Sequence, residues 1–130
     1  MRTKAREVVF EVVFASRFSG GFDVNLKNAL CKNENLTADD RQYVDGVISV
    51  LTEHGQEITE LIDTYSLSFP QSRLFPADIS ALLIAIAEIK YIPDIPNPVS
   101  VNEAANIASK FSSPKSATFI SGILSEIIKG

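Results

Sequence analysis

The stretch Pro76-Ala77-Asp78-Ile79-Ser80-Ala81-Leu82-Leu83-Ile84-Ala85-Ile86-Ala87-Glu88-Ile89 decides the fold. Alanine and leucine are strong helix formers, and after Pro76 neither glycine nor proline interrupts the run. Pro76 suits the first turn of a helix, where its missing N–H leaves nothing unbonded. Asp78 falls near the positive end of the helix dipole. The run is apolar on nearly every face, so neighbours must cover it on several sides. A membrane span needs about 20 mostly apolar residues, and this run is shorter and bracketed by Asp78 and Glu88. It predicts a central core helix with the other helices packed around it.

Working outward, 130 residues suffice for one compact domain with a real core. Before the central helix, Phe10, Phe14 and Phe18 recur at helical spacing beside Val9 and Val13, predicting a helix over 3–18 with one apolar face. Gly20 and Gly21 end it. Asp23 caps a short second helix through Leu26 and Leu30, and 32–36 reads as a polar loop. Thr37-Ala38-Asp39-Asp40 resembles a capping box with Asp in place of Glu. A long third helix follows, with Tyr43, Val44, Val47, Ile48 and Leu51 inward, then Ile58, Leu61, Ile62 and Tyr65 beyond a bend expected near Gly55. The segment 66–76 is a connector between helical subdomains of about 1–70 and 76–130.

After the central helix, Pro93, Pro96 and Pro98 make a stiff turn. Pro98 opens a helix with Val101, Ala104, Ala105, Ala108 and Phe111 inward. Ser113-Pro114, a cap followed by proline, starts the last helix, with Phe119, Ile120, Ile123, Leu124, Ile127 and Ile128 inward. No strand-like alternation of any length occurs. The expected fold is all-α, with six to seven helices in two packed subdomains.

The single cysteine, Cys31, excludes an internal disulfide framework and fits a reducing compartment. The basic start resembles a secretory signal, but Glu11 breaks the following apolar run and no cleavage site is clear, so a cytoplasmic location is expected. With one histidine, His54, and one cysteine, the chain lacks the side chains of a metal cluster or a Cys–His nucleophile. No glycine-rich phosphate loop is present. His54 reads as a helix-surface residue. Asp39, Asp40, Asp45, Glu53, Glu57 and Glu60 read as a solvated acidic face. No enzyme, cofactor or metal is expected. Gly46 and Gly122 interrupt predicted helices, each at about 1 kcal/mol relative to Ala, and are expected to let two helices approach closely.

The net charge of −4 opposes nucleic-acid binding, but Arg2, Lys4, Arg6 and Arg17 gather at the start. Arg2 and Arg6 lie four apart on one helix face. Cations there oppose the dipole, at about 0.3–1 kcal/mol each. They read equally well as phosphate contacts or as a solvated terminus. Lys115 repeats the pattern in the last helix, with Phe119 four residues on. Phe119 reads either as core or as a ring on which a base lies.

From Pro98 to Leu124 the chain resembles the NusB family of transcription antitermination factors. The resemblance rests on Val101-Asn102-Glu103-Ala104, Ala108-Ser109-Lys110-Phe111, and Ser116-Ala117-Thr118-Phe119-Ile120-Ser121-Gly122-Ile123-Leu124. Asp78, Leu82, Ala85 and Glu88, then Ala5-Arg6-Glu7, Asp40-Arg41 and Gly46-Val47, extend it across the chain. It implies a non-enzymatic factor that binds the boxA element of nascent single-stranded RNA together with Nus factor E, a small-subunit ribosomal protein. That pair joins an antitermination complex on RNA polymerase, notably on ribosomal RNA operons. The RNA-binding residues it implies are Arg2, Lys4, Arg6, Lys115 and Phe119. Asp78 and Glu88 are the implied contacts with the protein partner. Self-association as a homodimer stays open, and no membrane partner is expected. The chain departs from the family pattern at Leu83, Thr118 and Ser121. Two alternatives stand beside this reading: a helical protein-interaction module without RNA binding, and the RNA-binding accessory domain of a ribosomal RNA cytosine methyltransferase.

Overall fold

The computed structural model describes residues 2–66 and 74–130. Six helices make up its regular structure: α1 (Arg2–Ser19), α2 (Val24–Asn33), α3 (Ala38–Tyr65), α4 (Pro76–Tyr91), α5 (Asn97–Phe111) and α6 (Pro114–Lys129). Among the described residues there is no strand. None of these helices is long and apolar enough to cross a membrane.

Side-chain caps set three of the starts. Asp23 accepts from the Leu26 N–H at 3.0 Å, Thr37 from Asp40 at 3.1 Å, and Ser113 from Ser116 at 3.1 Å. Pro76 and Pro114 occupy first turns. Gly20, at φ +86°, ends α1 in the left-handed region that a Cβ would disfavour. α2 runs to Asn33, into the segment predicted as loop, and Asn35 turns the chain at φ 51°. α3 continues through Gly55 as one helix. Residues 67–73 of the predicted connector lie outside the described residues.

α4 is the hub, in contact with α1, α3, α5 and α6. Every residue from Ala77 to Glu88 is buried. A helix covered all round must be apolar all round, and that is the pattern of its sequence. α5 packs on α6, while α1 packs on α2 and α3. One core cluster draws residues from all six helices.

Several faces differ from expectation. On α1, Phe10 is buried, but Phe14 is at the edge of the core and Phe18 is 70% exposed. On α5, Ile107 is buried, whereas Phe111, stacked on Phe10, stays 38% exposed. Ile128 of α6 is also exposed. Asp40 leaves the predicted acidic face and is buried. No side chain or backbone outside the helix itself lies within 4 Å of a Cβ built at Gly46 or Gly122. Close helix approach therefore does not explain either glycine.

Candidate nucleic-acid and partner interface

Four helices meet at one carboxylate. Glu88 of α4 accepts two parallel bonds from Arg6 of α1, Nε to Oε2 at 2.8 Å and Nη2 to Oε1 at 3.1 Å. Ser100 of α5 donates to Oε1 at 2.8 Å, and the Tyr43 hydroxyl of α3 donates to Oε2. These four bonds fill the acceptor sites of the carboxylate. Arg6 also donates from Nη1 to Glu103 Oε1 at 3.0 Å, and Thr3 donates to the same oxygen at 2.8 Å.

Arg6 is 3% exposed and Glu88 is 1% exposed. A bidentate, fully bonded pair is the arrangement in which buried charge is tolerated. Burial would lower the Arg6 pKa, but the Glu88 hydrogen bond and nearby charges outweigh it and hold Arg6 above its ordinary value. Burial, then the Glu88 charge, pushes the Tyr43 phenol well above its ordinary value.

This geometry corrects two readings. The implied phosphate contact at Arg6 does not fit, because its guanidinium is spent inside the chain. The implied partner contact at Glu88 does not fit either, because its acceptors are full. The sequence held a hint: Arg6 stands three and seven residues before Val9 and Val13, on the buried face of α1.

Arg2 and Lys4 remain at the surface. The Arg2 guanidinium lies 4.6 Å from the Tyr43 ring centroid, with Nε 3.8 Å from Asp40 Oδ1. Lys4 pairs with Glu34 at 3.1 Å. The exposed Lys4–Glu34 pair contributes about 0–1 kcal/mol, so a phosphate can compete for Lys4, and the Arg2–Asp40 contact at 3.8 Å is too long for a hydrogen bond.

Lys115 is exposed in the first turn of α6, and Phe119 is half-buried against the core. The ring packs partly against the core, as its core reading expects. The structure does not bring these two residues to Arg2. Glu103 lies beside Thr3 and Arg6, and the α5–α6 turn begins nine residues later, about 14 Å further along the helix axis. Glu7, bonded to Lys110 at 2.8 Å, lies between the two places. Asp78 is buried at the start of α4, and its Oδ1 finds no hydrogen-bond partner among the described residues.

A further surface is hidden from helical periodicity, which places its residues in the core. Phe111, Phe10, Phe14 and Phe18 form a continuous series of ring contacts, with centroid separations of 4.7, 5.8 and 5.2 Å. Phe10, Phe14, Leu26, Leu30, Ala77 and Phe111 line an open groove of about 340 Å³. Glu11 stands on its rim, its carboxyl pushed up by partial burial and by the charges of Glu7 and Glu34.

The sequence pattern of the NusB family matches residues 3–129. The chain belongs to the NusB family. It is similar to the transcription antitermination protein NusB of Agathobacter rectalis, with 35% identity over 127 residues, covering 96% of this chain and 97% of that one. The fold matches the NusB structure of T. maritima with a TM-score of 0.90 at 27% identity, over 99% of this chain and 91% of that one. It also matches a structure of antitermination factors NusB and NusE in complex with double-stranded RNA, with a TM-score of 0.88 at 22% identity, over 98% of this chain and 96% of that one. The last likeness concerns the fold alone. The NusB fold gives the sequence motifs their places: Asn102-Glu103-Ala104 lies beside the buried arginine, and Thr118 to Leu124 lies in α6.

Proposed function

We propose that this chain is a transcription antitermination factor that binds boxA-type single-stranded RNA together with Nus factor E. The carrying observation is the match to antitermination proteins over nearly the whole chain at 35% identity. In this reading the chain is one RNA-binding domain over 1–130, with helical subdomains of about 1–70 and 76–130. It works in the cytoplasm within the RNA polymerase antitermination complex and catalyses nothing.

Arg2, Lys4 and Lys115 supply phosphate contacts, and the solvent-facing part of Phe119 offers a stacking surface. An extended single strand bridges the roughly 14 Å along α5 from Glu103 to the α5–α6 turn. Arg6 acts from inside, by fixing the first turns of α1 to α3, α4 and α5. The aromatic groove faces the protein partner. Two joined surfaces raise the affinity of an acidic protein for RNA through effective concentration.

The test is boxA RNA binding by the chain with and without Nus factor E, at one fixed salt and then over a salt series. Tighter binding with the partner, weakening as salt rises, is expected. Equal affinity with and without the partner rejects the cooperation. No RNA binding in either case, with partner capture retained, leaves a protein-interaction module instead.

A further inference from the structure

Gly46 sits in the interior of α3, where glycine is unfavourable, and among the described residues nothing outside the helix lies within 4 Å of the Cβ it lacks. That space opens into a groove of about 400 Å³ between α3 and the end of α4. Val50, Ile92 and Ile95 supply apolar wall, and Asp39, Asp94 and Gln42 supply polar groups. Arg2 lines the same groove. Its Nε is buried with no hydrogen-bond partner among the described residues, Asp40 at 3.8 Å being beyond bonding distance.

We infer that this groove takes one unpaired RNA nucleotide, with its base beside Gly46 and its phosphate on Arg2. The inference rests on the RNA reading above and names a subsite for it. The charges select the orientation. Two carboxylates repel a phosphate but accept hydrogen bonds from base amino groups, so the base enters and the backbone stays with Arg2. The same carboxylates suit guanine, cytosine or adenine, which present amino hydrogens. They suit uracil poorly, because it presents carbonyl oxygens on both sides of a single N–H. Unpaired bases, unlike duplex bases, leave these edges free to be read. An apolar wall with a few converging polar groups is the usual composition of a small-ligand site.

The experiment fills the groove from Gly46. In Gly46→Ala and Gly46→Leu the new Cβ meets no neighbour, and helix propensity improves. Thermal stability is expected to hold or rise in both, with capture of Nus factor E unchanged. Affinity for boxA RNA with the partner present is expected to fall stepwise, by about 5- to 100-fold in the leucine variant. Asp94→Asn is expected to narrow the preference for amino-bearing bases over uracil in a panel of single-base RNA variants. If Gly46→Leu binds RNA like the parent while Arg2→Ala weakens binding, the groove is not a nucleotide subsite, though the RNA reading stands. If the parent chain with its partner binds no RNA, both fail.

Discussion

In its first two turns α1 buries a charge, while in its last two it leaves phenylalanine rings in water. Arg6 lies inside because α4 and α5 bring it acceptors, Glu88 and Glu103, and the Tyr43 ring of α3 lies against its guanidinium. Phe14 and Phe18 lie outside because the chain's own helices do not close over that end of α1. Residue type alone would place them the other way round. The comparison separates groups that hold the fold together from groups kept for something else. A fully bonded buried ion marks a joint between helices. A series of ring contacts that runs from the buried Phe10 out to the exposed Phe18 leaves apolar surface in water and is the feature on which the proposed partner surface rests.

The sharpest break in this comparison is Glu88→Ala. It leaves the Arg6 guanidinium buried without its bidentate partner, and about 3–5 kcal/mol of stability should be lost in urea denaturation. A loss below about 1 kcal/mol would mean that Arg6 escapes to solvent and that the joint is not what holds α1.

The pH dependence of stability probes the same joint. The Tyr43 phenol is raised above its ordinary value of 10.0 in the folded chain. Below that pH the folded and unfolded phenols are both protonated, and the contribution of this group is fully present. Above it the unfolded phenol loses its proton first, so stability falls as pH rises, by about 1.4 kcal/mol per pH unit for this group. Tyr43→Phe should remove about 1.4 kcal/mol in total from the fall measured between pH 9 and pH 11. An unchanged slope would assign the alkaline loss to other groups.

Arg2 and Lys4 stand at the same end of α1 as Arg6 but face outward. Replacing both by Ala should lower the log–log salt slope of boxA binding by about 0.7 for each phosphate the two cations no longer neutralise. Lys4→Ala alone should barely change thermal stability, because Lys4 opposes the helix dipole and holds only an exposed pair, whereas Arg2→Ala also removes a cation beside the buried Asp40 carboxylate and should cost more. An unchanged slope returns them to a solvated helix end.

The smallest effect on stability belongs to the other end of the helix. Phe18→Ser should shift stability by no more than about 0.5 kcal/mol, since the ring is already in solvent. Capture of Nus factor E should nevertheless weaken. Full capture would place the partner elsewhere, and a large drop in stability would return Phe18 to the core.

Much of the fold was legible because its signals are local. Asp23, Thr37 and Ser113 cap helices where their side chains predict, and Pro76 and Pro114 open first turns. The apolar run of α4 required cover on all sides, and four helices supply it. The site was less legible. Arg2, Arg6 and Lys4 look alike as a basic cluster, yet only the position of Glu88, 82 residues on from Arg6, decides that Arg6 is interior. Gly46 looked like a packing glycine, and only the space around it shows that nothing packs there.

By itself the sequence determined the helices, their caps, the central place of α4 and the family, since each follows from neighbours along the chain or from a shared pattern. Tertiary structure alone decided which charges are joints, which aromatic rings stay outside and which glycine opens a groove. The physical reason is that periodicity states which residues share a helix face, while burial depends on what stands opposite that face. For Arg6 it is Glu88, bonded at 2.8 Å, and for the exposed ring of Phe18 it is water.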